Sequence, residues 1–113
     1  QYANSLTNLG NAYIQLAKIE DLPGNCRQAI LAYEAALQIY TLERFPLNFA
    51  ITQDNLRNAY SMLAGTDNSL ETYKLTFEAC AAALKVFTRR RFPRKYRSLK
   101  YEEENLVKLL IYK

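Results

Sequence analysis

Hydrophobic and polar residues recur along the chain with the spacing of amphipathic helices, in five successive segments. In the first segment, Leu6, Leu9, Tyr13 and Leu16 follow one another every three or four residues, so they fall on one side of a helix. The helix-breaking stretches EDLPGN and GTDNS and two copies of the triplet RFP separate the segments. The pattern predicts helices over residues 2–18, 26–43, 46–64, 69–91 and 94–112.

The first two segments recur in the next two after a shift of 47 residues. Among the 46 positions from 1 to 46, 16 hold the same residue as the position 47 residues later. The identities include the triplets NAY (11–13 and 58–60) and RFP (44–46 and 91–93). A match of this length without gaps indicates a tandem repeat of helix pairs.

We therefore expect one all-α domain, in which antiparallel helix hairpins stack as a right-handed α-solenoid of five helices. Repeat 1 covers about residues 2–45, repeat 2 about residues 46–92, and a degenerate terminal helix about residues 94–112. The terminal helix matches less well, because its Asn-Leu pair at 105–106 lies 50 residues after the pair at 55–56. Two and a half repeats are marginal for stability, and the chain begins without Met, so we expect a piece of a longer protein with further repeats upstream.

The residue inventory argues against catalysis. The chain has no histidine, the commonest general base and metal ligand, and its three glycines are too far apart to form a phosphate-binding loop. The acidic run 102–104 is typical of a solvated helical face rather than of a metal site, which needs several convergent oxygen ligands. We expect a protein that is not an enzyme and that needs no cofactor or metal.

The two cysteines and the apolar segments indicate the compartment. Cys26 and Cys80 have neither metal-ligand spacing nor the pattern of a disulfide framework, so we expect reduced thiols in or near the core. No apolar run approaches the roughly 20 residues of a membrane span. These features favour a cytoplasmic protein without membrane contact.

Two short patterns invite comparison with a known family. The sequence NLGNAY (8–13) recurs as NLRNAY (55–60), and the second helix of repeat 1 places Ala29, Tyr33, Ala36 and Leu37 in the order A-x-x-x-Y-x-x-A-L. Both patterns resemble the tetratricopeptide repeat (TPR) family, in the long-period form found in large bacterial multidomain proteins. The period of 47 exceeds the usual 34 or so of the family.

The resemblance implies a scaffold that binds a peptide or a partner helix in a concave groove lined by the first helix of each repeat. Asn11 and Asn58 are the strongest candidates in that groove, because an amide side chain both donates and accepts hydrogen bonds. Thr7 and Asp54 stand where carboxylate-binding TPR proteins carry Lys or Arg, so a chaperone C-terminal peptide is not the expected ligand. The candidate groove residues are Asn4, Thr7, Asn11, Gln15, Asp54, Asn58, Met62, Tyr101 and Lys108, with Ile14, Ile51, Ser61 and Ile111 beside them.

One position departs from the family pattern within the repeat itself. The family carries glycine at the third position of N-L-G, where repeat 1 has Gly10 and repeat 2 has Arg57. Because glycine allows close approach of two helices, we expect Arg57 to loosen the helix contact locally.

The charge distribution leaves an alternative function open. The net charge is +4, yet residues 89–100 contain seven basic and no acidic residues, which leaves eight basic and eleven acidic residues elsewhere. Interleaved aromatic rings would let this segment stack on bases as well as contact phosphates. The basic run also has a purely structural explanation, because arginines at the end of a helix interact favourably with its dipole. Binding of nucleic acid or another anion, the less favoured function, would use Arg89, Arg90, Arg94, Lys95, Arg97 and Lys100; self-association of the solenoid also remains open.

Overall fold

The computed structural model describes residues 2–112, which form five α-helices and no β-strand. Each helix packs against the next one along the chain, and α1 also touches α3. The expected all-α class and the number of helices are confirmed, and the packing is compatible with a helical solenoid. The helices are α1 (Tyr2–Ala17), α2 (Leu22–Leu37), α3 (Pro46–Asp67), α4 (Leu70–Leu84) and α5 (Pro93–Tyr112).

The second helix of each pair is shorter than predicted. α2 ends at Leu37 and α4 at Leu84, so the predicted ends at residues 43 and 91 are wrong. After α2 the backbone forms a tight turn, in which the Thr41 N–H donates to the Ile39 carbonyl at 3.0 Å. Thr88 makes the same bond after α4. A bond between residues two apart interrupts the i to i−4 ladder, so the helix stops although helix-forming side chains continue.

The start of α2 is also earlier than predicted. The stretch EDLPGN was expected to lie between two helices, but Leu22 and Pro23 already belong to the first turn of α2. A proline fits there because the first N–H groups of a helix have no intrahelical partner. Asp21 caps the turn by accepting a hydrogen bond from the Gly24 N–H at 3.2 Å.

The segments between the pairs, residues 38–45 and 85–92, have the same construction, and we call them the first and second joint. In the first joint the Phe45 N–H donates to the Thr41 carbonyl at 2.9 Å, and the Phe45 ring meets Tyr40 edge to face. The second joint repeats both contacts, with Phe92 on Thr88 at 2.9 Å and the Phe92 ring on Phe87. The 47-residue repeat of the sequence therefore extends to individual hydrogen bonds.

The terminal helix keeps the same register. Its two buried leucines, Leu99 and Leu106, come 47 residues after Thr52 and Ala59, which are also buried. The starts of α3 at Pro46 and of α5 at Pro93 also lie 47 residues apart, in place of the offset of 50 suggested by the Asn-Leu pair. The reason is the second joint, which fixes the start of α5 at Pro93 and so determines which of its residues face the core.

The core consists of two clusters. The larger one lies among α1 to α4 and includes Ile14, Ile30, Tyr33, Leu56 and Leu63, while the smaller one joins α3, α4 and α5. Both cysteines are free and fully buried, one in each cluster, as expected. In the described part of the chain, no helix combines the length and the apolar character needed to cross a membrane.

α3 packs against α4 although Arg57 stands where α1 has Gly10. In repeat 1, a Cβ at Gly10 would overlap the ring of Tyr33, so the glycine provides the space for that ring. In repeat 2, Arg57 replaces the glycine, and Cys80, a much smaller residue, replaces the tyrosine and is 0% exposed. The two substitutions compensate each other in volume, and α3 and α4 remain in close contact.

Candidate functional site

The first helices, α1, α3 and α5, provide the surface that the TPR resemblance assigns to a partner. α3 and α5 run side by side in the same direction, because Asp54 pairs with Lys95 at 2.8 Å and Arg57 with Glu102 at 2.6 Å in the same order along both helices. α1 also touches α3. Side-chain ion pairs thus join α3 to α5, and we call α1, α3 and α5 together the first-helix layer.

A row of asparagines follows this layer. Asn11, Asn58 and Asn105 are separated by 47 residues each, so they occupy equivalent positions on α1, α3 and α5. Asn11 and Asn105 are exposed, and Asn58 is half-buried. We call these three residues the asparagine row. Sequence reasoning missed Asn105 and chose Lys108, because it moved the last helix by 50 residues where a further shift of 47 would have found the asparagine.

The amide of Asn11 is held by the core. The hydroxyl of Tyr33, a residue only 1% exposed, donates to Asn11 Oδ1 at 2.5 Å. Burial raises the pKa of Tyr33 to about 12, so the phenol remains a donor into the alkaline range as well as at neutral pH. With its oxygen engaged, Asn11 presents its Nδ2 as a donor to solvent.

Asn58 has a different environment, because Cys80 replaces the tyrosine that holds Asn11. Its Nδ2 donates to the sulfur of Met62 at 3.9 Å, and thioether sulfur is a weak acceptor. Its oxygen remains available as an acceptor. The two asparagines that the sequence pattern treats as equivalent therefore differ in the group they offer.

The other predicted groove residues of α1 divide into two groups. Asn4 and Gln15 are exposed near Asn11, as a groove position requires. Thr7 is 8% exposed, and its hydroxyl donates to the Ala3 carbonyl at 3.0 Å. Ile14, at 5% exposed, belongs to the larger core cluster. Thr7 and Ile14 therefore do not form part of the groove surface, because both face α2.

Asp54 has a structural role. Its Oδ1 accepts from Arg57 and its Oδ2 from Lys95, both at 2.8 Å, and its side chain is 13% exposed. Arg57 continues the network to Glu102. These bonds fix α5 against α3, so Asp54 is already occupied by protein groups.

The remaining groove candidates lie at the edges of the layer. Met62 is half-buried against the larger core cluster, and Lys108 is exposed on α5. Tyr101 is 70% exposed and lines, with Arg94 and Arg97, an open cavity of about 460 Å³. One predicted groove residue thus joins two predicted anion-binding residues.

The structure divides the predicted basic site. Lys95 and Lys100 are paired with carboxylates, Lys95 with Asp54 and Lys100 with Glu103 at 2.9 Å. The other four candidates, Arg89, Arg90, Arg94 and Arg97, are exposed, and within residues 2–112 none of them has a carboxylate at salt-bridge distance. Among the six candidates, the four arginines are therefore the ones whose charge is not offset by a paired carboxylate within residues 2–112.

No family model, curated protein or solved structure matches the chain. The equivalence of positions between its own repeats is therefore the guide to which surface residues belong together. That equivalence selects the asparagine row.

Proposed function

We propose that the chain is a non-catalytic protein-interaction scaffold of the TPR type, which binds an extended peptide or a partner helix across α1, α3 and α5. The asparagine row carries the proposal, because it places one exposed or half-buried amide on each first helix. A peptide backbone offers a donor and an acceptor at every residue, and amide side chains match both. A periodic row of amides therefore suits backbone recognition that depends little on the partner's side chains.

The contact between Tyr33 and Asn11 supports the proposal energetically. A side chain that is already held loses little rotamer freedom on binding, so more of its interaction energy appears as affinity. We expect Asn11 to donate from Nδ2 to a peptide carbonyl. Asn58 and Asn105 would supply the remaining contacts, with Asn58 turning away from its weak Met62 acceptor.

The buried thiols bear on the compartment. Cys26 and Cys80 are both free, although oxidising compartments favour disulfides. We propose that the scaffold works in a reducing compartment such as the bacterial cytoplasm.

The test starts from peptides selected from a displayed random library on the unmodified chain, with affinities measured by fluorescence anisotropy. The sharpest variant is Asn11→Asp, which keeps an acceptor for the Tyr33 hydroxyl but removes the donor. Loss of one neutral hydrogen bond corresponds to roughly five- to tenfold weaker binding. Asn58→Ala and Asn105→Ala should weaken binding as well.

The matched control is Gln28→Ala, which removes an exposed amide on α2, away from the asparagine row. It should leave the affinity unchanged. Selected peptides that bind the triple variant of Asn11, Asn58 and Asn105 as tightly as the unmodified chain would exclude the proposed groove, provided that circular dichroism shows both proteins folded.

A second candidate function is anion or nucleic-acid binding, favoured by the open cavity that Arg94, Arg97 and Tyr101 line. Arginine contacts phosphates, and the exposed tyrosine ring can stack on a base. Titration with single-stranded RNA and DNA at two salt concentrations tests it. Binding that falls steeply with salt and is lost in Arg94→Gln/Arg97→Gln supports this function, and no binding at low salt excludes it.

A further inference from the structure

The outer face of α1 is uncovered, although the same face of α3 is buried. Leu9 and Leu16 are 47% and 38% exposed, whereas Leu56 and Leu63, found 47 residues later, are 6% and 7% exposed. The residue types are identical and the helical positions equivalent. The difference therefore arises from what lies against each helix.

The smaller residues of this face behave in the same way. Ser5 and Ala12 on α1 are exposed, and their counterparts Thr52 and Ala59 on α3 are 1% and 0% exposed. Small side chains allow the backbones of two helices to approach closely. The whole face of α1 is thus a second copy of the surface by which α3 packs against α2.

A polar contact marks the same interface. The Tyr60 hydroxyl of α3 donates to Glu34 Oε2 of α2 at 3.0 Å. Tyr13 is the counterpart of Tyr60 on α1, and it is half-buried. A helix docked on α1 as α2 is docked on α3 would place an acceptor within reach of the Tyr13 hydroxyl.

The opposite end of the molecule carries charged residues on the corresponding side of α5. Ala50 of α3 is 0% exposed and belongs to the cluster shared with α4, and the equivalent residue of α5 is Arg97. Further along the same side of α5 lie Glu104 and Lys108. Glu104 is the counterpart of Arg57, which α3 carries beside α4, so a charge at that position does not prevent docking. Arg97 replaces a fully buried alanine and opposes docking there, since burial of an unpaired charge is costly. The two ends of the molecule therefore differ: the face of α1 keeps the residue types of the buried face of α3, whereas α5 carries an arginine where α3 has a buried alanine.

We propose that the face of α1 formed by Ser5, Leu9, Ala12, Tyr13 and Leu16 docks the second helix of a further 47-residue repeat of this type. The occupant has the chemistry of α2: an amphipathic helix with an apolar residue at the position of Ile30 and a carboxylate at that of Glu34. The α2–α3 interface is the template for this contact. The inference does not depend on the proposed groove, because it concerns a different face of α1.

The test extends the full chain by joining a copy of residues 1–47 ahead of residue 1, which preserves the period. In the unextended chain, Leu9→Ala should change the unfolding equilibrium constant less than about threefold, because the side chain is half exposed. In the extended chain, the same change in the original copy should raise that constant roughly 30-fold or more, as truncation of a buried leucine does. Leu56→Ala is the matched control, with a large effect in both chains.

Introducing Ile30→Asp in the added copy alone should return the effect of Leu9→Ala to its small value. Equally small effects of Leu9→Ala in both chains would overturn the proposal. So would self-association of the unextended chain that Leu9→Asp abolishes, because the occupant would then be a second copy.

A further measurement does not require the extended chain to fold. A synthetic peptide of residues 21–45, titrated into the unextended chain, should shift the amide resonances of α1 around Leu9 and Leu16 and leave those of α5 unchanged. A peptide that shifts no resonance of α1 would count against the proposal.

Discussion

At the scale of single residues, the two repeats place large and small side chains on opposite helices. In repeat 1 the small residue is on the first helix, and in repeat 2 it is on the second. Gly10 faces Tyr33 in repeat 1, and Arg57 faces Cys80 in repeat 2. In each pair a large residue on one helix stands opposite a small one on the other, which keeps the first and second helices close. The tyrosine brings an added function, because its hydroxyl orients Asn11.

Gly10→Ala should destabilise the protein by about 1–3 kcal/mol, because the new methyl group overlaps the Tyr33 ring. The same change made in a Tyr33→Cys background should cost less than about 0.5 kcal/mol, since the ring is then gone. Urea unfolding of the four proteins in this cycle measures the coupling. Additive effects would show that the two positions do not compete for space.

The buried acids make stability depend on pH in the alkaline range. Burial raises the pKa of Cys80 from 9.0 and that of Tyr33 from 10.0, each to about 12, and it also raises the pKa of Cys26 and Tyr60. A raised pKa means that the folded state keeps its protons while the unfolded chain releases them. The contribution to stability is therefore complete below pH 9 and is lost as the pH rises toward 12.

We expect the free energy of unfolding to fall above pH 9 by up to about 1.4 kcal/mol per pH unit for each group that titrates in the unfolded chain alone. Urea unfolding at a series of pH values from neutral to strongly alkaline measures this decline. Because the thiols titrate first, the double variant Cys26→Ala/Cys80→Ala should show no decline until about pH 10, where tyrosine begins to ionise. An unchanged profile in that variant would rule out the thiols as the source.

At the scale of secondary-structure elements, local hydrogen bonds decide where helices end. Within the stretch GTDNS, Ser69 is the N-cap of α4 and accepts from the N–H groups of Glu71 and Thr72. Asn68 is the C-cap of α3, in the left-handed conformation that asparagine tolerates. The joints end the second helices in the same local way, through Thr41 and Thr88.

The attachment of α5 depends on charge as well as on apolar contact. Arg57→Gln removes the pairs with Asp54 and Glu102, whose side chains are 13% and 28% exposed. We expect a loss of about 1 kcal/mol at low ionic strength and a smaller loss at high salt, because solvent screens the partly exposed groups. Urea unfolding at two salt concentrations measures both values.

The control for Arg57 is Lys100→Gln, which removes a partly exposed pair within α5 itself. It should affect stability less than Arg57→Gln, since no second helix is involved. Equal effects of the two changes would contradict the proposed role of Arg57 as a link between α3 and α5.

At the scale of the whole molecule, packing follows the order of the chain. The helix contacts join α1 to α2, α2 to α3, α3 to α4 and α4 to α5, with a minor contact between α1 and α3. The molecule is flattened, with extents of 41, 38 and 21 Å. Stability in such an array is close to a sum of contacts between neighbours, so the two ends can open without the middle.

Amide hydrogen exchange should therefore be slowest in α2, α3 and α4, each of which packs between two neighbouring helices. It should be fastest in α5 beyond Leu106, the last buried residue of that helix. Exchange measured peptide by peptide with mass spectrometry at neutral pH gives this order. Equal protection of all five helices would instead indicate a single cooperative unit.

The sequence by itself determined the number of helices, their pairing and the period of 47, because these follow from local hydrophobic spacing and from chain breaks. It also identified Asn11 and Asn58 as equivalent positions. Tertiary structure decided the rest, because the deciding contacts join residues far apart in the chain. In the folded protein Thr7 faces α2, and Asp54 is paired with Arg57 and Lys95. The Tyr33 hydroxyl orients Asn11.

The same reason explains the register of α5 and the different exposure of the equivalent apolar faces of α1 and α3. Sequence similarity alone placed the last helix three residues out, whereas the buried side chains of Leu99 and Leu106 establish its position. Leu9 and Leu56 are the same residue in the same pattern, yet one is half exposed and the other buried. Periodicity predicts which side of a helix is apolar, and the presence of a neighbouring helix determines whether that side is covered.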